Sequence, residues 1–314
     1  MKSAEWVRFL RTSLPLTLIL ATASLTRAAS EAFFGHWSDG TGEVNTYEIS
    51  EDRYGQARLG HAVLVYVAEE LNRHTNVKVE SDRTPVEDRM FVIKLNKLLK
   101  FPTGIYDYSS MTSVFSVADS HLGHPPFQAA RVVHSSQEWC GQAFARLDLT
   151  ENAWKYQLRS YFEAEGDENS ELTSEGTDLE DNLWVRVREL DGPWLKQGET
   201  RSLRLYPALW EARKSHRSLA ANDATVTKGE TETYSTALGD LPVTRWSWKV
   251  EDREVTVWVE RDGARRLVGW EDNRGGQGRL VQSERLPYWR LNSNSDKDVR
   301  RRFSLPGHEL EPGF

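Results

Sequence analysis

The chain has a single cysteine, Cys140, among its 314 residues. An intrachain disulfide is therefore excluded, and the fold must rest on its apolar core. No cysteine lies near the end of the apolar run close to the start, which excludes a lipid anchor attached through cysteine there. Positive charge is also scarce, with 40 basic against 47 acidic residues. Residues 1–28 hold four of the basic and one of the acidic residues, so the remainder carries a net −10. A chain of that sign repels phosphate backbones, and its one dense basic run, Arg300-Arg301-Arg302, sits near Glu309 and Glu311; nucleic acid is not an expected partner. Recognised zinc spacings, catalytic motifs and internal repeats are missing, so no cofactor is expected.

Aromatic residues, in contrast, are plentiful, with twelve Trp and ten Tyr. Aromatic and β-branched residues suit half-buried pleated surfaces, so this excess points first to β structure and second to a stacking or apolar ligand site. The first 28 residues read as a secretory signal. Lys2, Arg8 and Arg11 make a basic start, Leu14 to Leu25 is apolar, and Ala21-Thr22-Ala23 or Thr26-Arg27-Ala28 offers a small-residue cleavage site. The run is too short for a membrane span and no stop-transfer pattern follows it. The expectation is an exported protein, periplasmic or secreted, with no transmembrane segment after cleavage.

Period-2 patterning dominates the rest. Leu59 to Val67 is apolar on both parities, as in a strand covered on both sides, and His61 within it reads as a hydrogen-bonded interior histidine. Met90 to Phe101 places Phe91, Ile93, Leu95, Leu99 and Phe101 on one face, turns at Pro102-Thr103-Gly104, and returns through Ile105 to Ser116. A second hairpin turns at Glu151-Asn152. Residues 164–177 are acidic and rich in Ser and Gly, which predicts an exposed linker. Leu179, Leu183, Val187 and Leu190 recur at helical spacing after a possible cap at Thr177 or Asp178, and predict a helix over 178–190. From Trp246 to Leu280, short turns at Glu251-Asp252, Asp262-Gly263 and Gly275-Gly276 join adjacent strands, which must then be antiparallel. The expected fold is mainly β, a large curled antiparallel sheet or open barrel with one or two covering helices. Its parts are an N-terminal β half over 29–163, the linker, a helix plus meander over 178–291 continuing the same sheet, and a frayed tail over 292–314.

Chemically capable residues concentrate in Ser135-Ser136-Gln137-Glu138-Trp139-Cys140-Gly141. Cys140 is a candidate nucleophile, with His134 as base and Glu138 or Asp107 as orienting acid. On one unbroken strand, six residues put Cys140 roughly 20 Å from His134, so the pair requires a bend or bulge at Ser135 to Gln137. Free cysteine is more often a buried packing residue. Asp107, between Tyr106 and Tyr108, is a candidate general acid, or else a partner for Lys94, Lys97 or Lys100 across the hairpin. His121 and His124 with Asp119 contain metal-ligand types, but two histidines three apart need a third ligand; a plain turn is expected and no metal site.

Three stretches together resemble a family of exported bacterial proteins of unknown function often labelled septum formation inhibitor Maf. They are Phe101-Pro102-Thr103-Gly104-Ile105-Tyr106-Asp107-Tyr108 running into Met111-Thr112-Ser113-Val114-Phe115, then Ser135 to Gly141, then Trp270-Glu271 with Gly275-Gly276. The nucleotide pyrophosphatases properly called Maf carry Ser-Xaa-Ser-Pro-Arg-Arg, which is absent here, so the resemblance implies export and no pyrophosphatase activity. The last third is similar, at fold level, to the curled sheets of periplasmic lipoprotein carriers. The expected function is non-enzymatic. A concave aromatic face, with Tyr106, Tyr108, Trp139, Trp246 and Trp248 as candidate contacts, would bind an apolar or lipid-like ligand or an envelope partner protein, under the 178–190 helix as a lid. The alternatives are an exported hydrolase built on Cys140 and a structural or adaptor module of the cell envelope.

Overall fold

The computed structural model describes residues 29–307. The signal peptide read over residues 1–28 lies outside the described residues, as does the end of the tail. The chain opens with α1 (Glu31–Trp37), β1 (Gly42–Arg53), β2 (Gln56–Asn72), β3 (Val77–Lys78), β4 (Arg89–Thr103) and β5 (Tyr106–Val117). There follow β6 (Ala129–Glu138), β7 (Gly141–Leu149), β8 (Ala153–Ser160), β9 (Glu168–Thr173) and β10 (Thr177–Leu179). Next come α2 (Glu180–Arg186), β11 (Thr200–Tyr206) and α3 (Leu209–Ser215). The meander β12 (Asn222–Thr236), β13 (Gly239–Val250), β14 (Arg253–Glu260), β15 (Leu267–Asp272) and β16 (Gln277–Leu286) precedes α4 (Lys297–Arg302).

Among the described residues, all sixteen strands belong to one sheet. Fifteen lie on a single path, β10-β11-β12-β13-β14-β15-β16-β1-β2-β4-β5-β6-β7-β8-β9, and β3 pairs only with β2. Short turns between neighbours make the ladders antiparallel, apart from the parallel β10–β11 pair. β1 joins the two halves by pairing with β16 on one side and β2 on the other. The path ends, β9 and β10, are consecutive in the chain, so the sheet curls round into a nearly closed barrel. Its seam is joined by side chains rather than by a ladder. Tyr206 Oη donates to Thr173 O (3.0 Å), Thr177 Oγ1 donates to the same carbonyl (2.8 Å), and Trp154 Nε1 donates to Thr177 Oγ1 (3.3 Å).

The alternation of β2 is realised on both faces. Ala62, Leu64 and Tyr66 enter the main core inside the barrel, while Val63 and Val65 join a second cluster outside with Val44, Leu286 and Phe303. The outer cover is the segment after Leu291, expected to be frayed; it is folded through short 3₁₀ turns and α4. His61 lies on this outer parity, half-buried, not inside. The 164–177 segment is likewise not a free linker, because β9 pairs with β8 from Glu168 to Thr173. A sheet-edge strand is held by its main-chain ladder and does not need an apolar face, which is why its composition misleads. Two close approaches fix the wall: a Cβ at Gly60 would stand 2.2 Å from Lys100 O, and one at Gly278 would stand 2.3 Å from the Trp270 ring.

A barrel this wide must fill its lumen with side chains, a plug or a ligand. Here the chain supplies the plug. α2 is shorter than its apolar spacing suggests, because Thr177 to Leu179 is strand and the helix stops at Arg186. It runs inside the barrel rather than over it, with Glu180 to Val185 all buried. α1 closes one end, where Phe33 meets Phe91 and Phe127 edge-on at 6.1 and 5.6 Å. α3 closes the other, with Trp210 edge-on to Phe101 and Tyr108 at 6.3 Å.

Candidate functional site: an aromatic rim on four hairpin tips

At the α3 end, four hairpins that are neighbours in the sheet turn back: β1–β2, β4–β5, β6–β7 and β8–β9. Their tips expose Tyr54 (58%), Ile105 (84%), Trp139 (73%) and Tyr161 (76%). Tyr54-Gly55 is a two-residue turn with φ of 60° and 68°, the primed geometry that favours Asn-Gly, so a tyrosine there is strained. Gly104 (φ 71°) makes the next turn and leaves Ile105 outermost. The tips are contiguous. Tyr106 lies 6.2 Å from Trp139 and 6.0 Å from Tyr108, ring centre to ring centre. Tyr54 Oη and Tyr108 Oη are 2.8 Å apart. The Tyr161 ring occupies the space a side chain at Gly141 would need. Below the tips, Tyr108 stacks on Phe101 (5.2 Å, 5°), which roots the rim in the core. Arg53 braces it by donating to Tyr108 Oη (3.2 Å) with its guanidinium 4.4 Å from the Tyr54 ring centre. Asp107, Glu138, Glu163 and Asp167 stand at or beside the tips against Arg53 and Lys100, so acidic charge exceeds basic charge there.

Cys140 is exposed in the β6–β7 turn. The Glu138 carboxylate accepts its backbone N–H and raises the thiol pKa, opposite to what a nucleophile needs. His134 is buried inside the barrel, with Nδ1 2.9 Å from Thr112 Oγ1 and its ring against Trp210. Burial, then the charge of Arg213, lowers its pKa to about 3. The β6–β7 ladder runs without a register shift from Arg131 to Glu138, so the bulge that would unite Cys140 and His134 is not formed. Asp107 is exposed on the outer face, whereas Lys97 turns inward, away from it. Cys140, His134 and Glu138 thus share the β6–β7 hairpin, with Asp107 on β5, without forming the cysteine–histidine–acid site. His121 and His124 exchange backbone hydrogen bonds at 3.1 and 2.8 Å as a turn, and the Asp119 carboxylate accepts from Ala29 N.

Of the five candidate contact aromatics, Tyr106 and Trp139 lie at the rim and Tyr108 supports it from below. Trp246 and Trp248 do not face an open concavity. Trp246 stacks on Trp194 (6.0 Å, 13°), and Trp248 meets Trp184 of α2 edge-on at 5.9 Å while its Nε1 donates to Glu180 (2.9 Å). The expected lid is a plug, and it covers both.

The polar residues of the plug were not expected to be buried. At the rim end, Glu180 pairs with Arg253, which also binds Asp272 (3.0 Å). Glu180 and Asp181 accept the backbone N–H groups of Ala208 and Leu209 (3.0 and 2.9 Å), fixing α3 to α2. Lys214 joins Glu51 and Glu211 (3.3 and 2.8 Å). Burial pushes Asp181 up to about 7 and Lys97 down to about 8, with the Lys97 ammonium 3.6 Å from the Trp184 ring centre. At the other end Arg188, fully buried, donates to Glu43 and to the carbonyls of Arg265 and Ala264, each at 2.8 Å. Lys97 shares the inward parity of Leu95 and Leu99, the one signal in the sequence that could have revealed it. Such perturbed groups can mark a reaction centre, but here Lys97 ties the wall to Trp184 of the plug and Asp181 ties the plug to α3. The cleft at the edge of the rim-end cluster, beside Glu180, Glu211 and Arg253, has about 70 Å³, room for waters and not for an organic substrate.

Among the described residues, no group of three side chains could hold a metal ion, and no helix is long and apolar enough to cross a membrane. No family model matches the chain, and no curated protein matches it. Among solved structures it is similar to the β-barrel-like protein of the domain of unknown function DUF1849 from Brucella abortus, with 10% identity and a TM-score of 0.45 over 78% of this chain and 98% of that one.

Proposed function

We propose that the chain is an exported, non-enzymatic binding protein that engages a lipid-like surface through its aromatic rim, with the plugged barrel as a rigid support. The observation that carries this reading is the row of Tyr54, Ile105, Trp139 and Tyr161 on four adjacent tips, while the lumen aromatics are already covered. Monomeric proteins seldom expose contiguous apolar tips without a partner for them. Tyrosine and tryptophan combine an apolar body with a polar edge and favour the boundary between water and lipid. Tips that each contribute one protruding side chain suit a soft, featureless phase. The acidic excess around them favours a neutral surface over an anionic one, and binding to a neutral surface should depend only weakly on salt. Tyr54 retains its phenol at a strained position, as expected where a side chain serves something other than stability.

Co-sedimentation with phosphatidylcholine vesicles tests this. The intact chain should bind, and Trp139→Ala combined with Ile105→Ser should weaken binding at least about tenfold without changing the melting temperature. Failure of the intact chain to bind, or equal binding by the variant, would remove the proposal.

A further inference from the structure

Where the chain enters the barrel, two acids without a cation hold it in place. Ala29 packs against the main core, and its backbone nitrogen donates to the Asp119 carboxylate, just past β5, at 2.9 Å. Ser30 N donates to both oxygens of Asp191, beyond α2, at 3.2 and 3.1 Å. Ser30 Oγ donates to the same carboxylate and accepts from Phe33 N (3.2 Å), which starts α1 and leads to the buried Phe33 and Trp37. Two carboxylates thus meet consecutive backbone nitrogens. Both acids are half-buried, and among the described residues neither forms an ion pair with lysine, arginine or histidine. A peptide N–H offers Asp119 one hydrogen bond and no charge. An α-ammonium at Ala29 offers three donors and the missing positive charge, and a charge-assisted bond is roughly twice as strong as a neutral one.

The sequence offers two small-residue cleavage sites, which would leave Ser24 or Ala29 at the start. Ala21-Thr22-Ala23 lies inside the apolar run from Leu14 to Leu25, whereas Thr26-Arg27-Ala28 follows it, the order that a secretory signal requires. Of the two, the second alone places an ammonium on Asp119. We propose that the chain is processed between Ala28 and Ala29 and that the new α-ammonium docks on Asp119, so that the mature N-terminus becomes an ion pair of the barrel. The step is a hydrolysis by a signal endopeptidase. Water adds across the Ala28–Ala29 peptide bond, Ala28 departs as a carboxylate with residues 1–28, and the nitrogen of Ala29 takes up protons to become the ammonium. Processing here rests on the export proposed above and not on the rim.

The test starts from the full 314-residue chain, produced with its own first 28 residues in a bacterial host that has a periplasm. The N-terminus of the exported protein is read by sequencing and intact mass, and Ala-Ser-Glu-Ala-Phe is expected. A start at Ser24, or anywhere other than Ala29, overturns the proposal and leaves export standing. A chain kept in the cytoplasm with residues 1–28 intact removes export and the proposal together. The processed protein is then treated with limiting acetic anhydride at pH 7 beside the free peptide Ala-Ser-Glu-Ala-Phe. An ammonium paired with a carboxylate gives up its proton less readily, so acylation of the α-amine should be at least about threefold slower in the protein. Asp119→Asn should bring the rate back towards that of the peptide. The comparison of intact protein with peptide needs no variant to fold. Equal rates for the two overturn the docking, and so does slow acylation that persists in folded Asp119→Asn protein, because burial alone would behave that way.

Discussion

Trp246 and Trp248 on β13 and Trp139 between β6 and β7 are the same residue type on the same sheet, yet their surroundings are opposite. The first two lie under Trp194 and Trp184, and the indole of Trp248 gives its N–H to Glu180. Trp139 has Tyr106 beside it and solvent over most of its surface. The difference is in what the chain itself supplies. Inside the barrel, the 178–195 segment brings both apolar cover and polar partners, so aromatic area becomes stability. At the tips no segment of the described chain plays that part, so aromatic area remains open to a second phase. Counting aromatics does not separate these roles; the position of the plug does.

The contrast predicts a large split in stability. Trp246→Ala should cost about 3–5 kcal/mol in urea unfolding, as for other buried aromatics. Arg188→Ala should cost a similar amount, because it strands the buried Glu43 carboxylate without its cation. Trp139→Ala should change stability by less than about 0.5 kcal/mol. If Trp139→Ala were as costly as Trp246→Ala, the rim would be structural and the contrast would fail.

A second, smaller effect concerns the charged plug. Asp181 is raised by burial from 3.8 to about 7. Between about pH 4 and 7 the folded chain keeps a proton that the unfolded chain releases, so this group's contribution makes stability fall as pH rises through that window. Lys97, lowered by burial from 10.5 to about 8, acts above it. There the unfolded chain keeps the proton longer, and stability recovers as pH rises from about 8 to 10.5. Asp181→Asn should flatten the first limb by more than about 1 kcal/mol, as read from urea midpoints at pH 5 and 7. Trp139→Ala should leave both limbs in place. A first limb that survives Asp181→Asn would show that another group carries it.

The smallest effect is at the strained tip. Tyr54→Asn places a residue suited to positive φ in the β1–β2 turn and should stabilise by a few tenths to about 1 kcal/mol, while weakening vesicle binding two- to threefold. Loss of stability would mean that the Arg53–Tyr54–Tyr108 contacts outweigh the backbone strain.

Much of this fold is legible in the sequence because strand parity records which face is covered. The β4–β5 hairpin, the β7–β8 hairpin and the meander from β13 to β16 follow from alternation and turn residues alone. The double apolar parity of β2 correctly calls for cover on both sides, although which segment provides the outer cover is not written in residues 59–67. The plug is only half legible. Leu179, Leu183 and Val187 mark an apolar stripe, but Glu180, Asp181, Asn182 and Arg188 read as a solvent face until Arg253, Ser116 and Glu43, all remote in sequence, come to meet them. The 164–177 segment misleads because a ladder-held strand can be as polar as a linker. For the candidate site, the Ser135–Gly141 stretch brings an exposed tryptophan and the lone cysteine to the surface. Its reading as cysteine chemistry depends on a strand irregularity at Ser135 to Gln137 that composition does not determine, and β6 is regular from Arg131 to Glu138. The adjacency of Tyr54, Ile105, Trp139 and Tyr161 requires the strand order, which joins β2 directly to β4 and β5 to β6.

The lone cysteine permits the most direct measurement, since Cys140 is exposed beside Trp139 at the centre of the rim. Folded protein labelled at Cys140 with an environment-sensitive fluorophore, and titrated with phosphatidylcholine vesicles, should show a saturable blue shift that persists in high salt. An unshifted spectrum at saturating lipid, from protein whose melting temperature is unchanged by labelling, would contradict the assignment of the rim to a lipid-like surface.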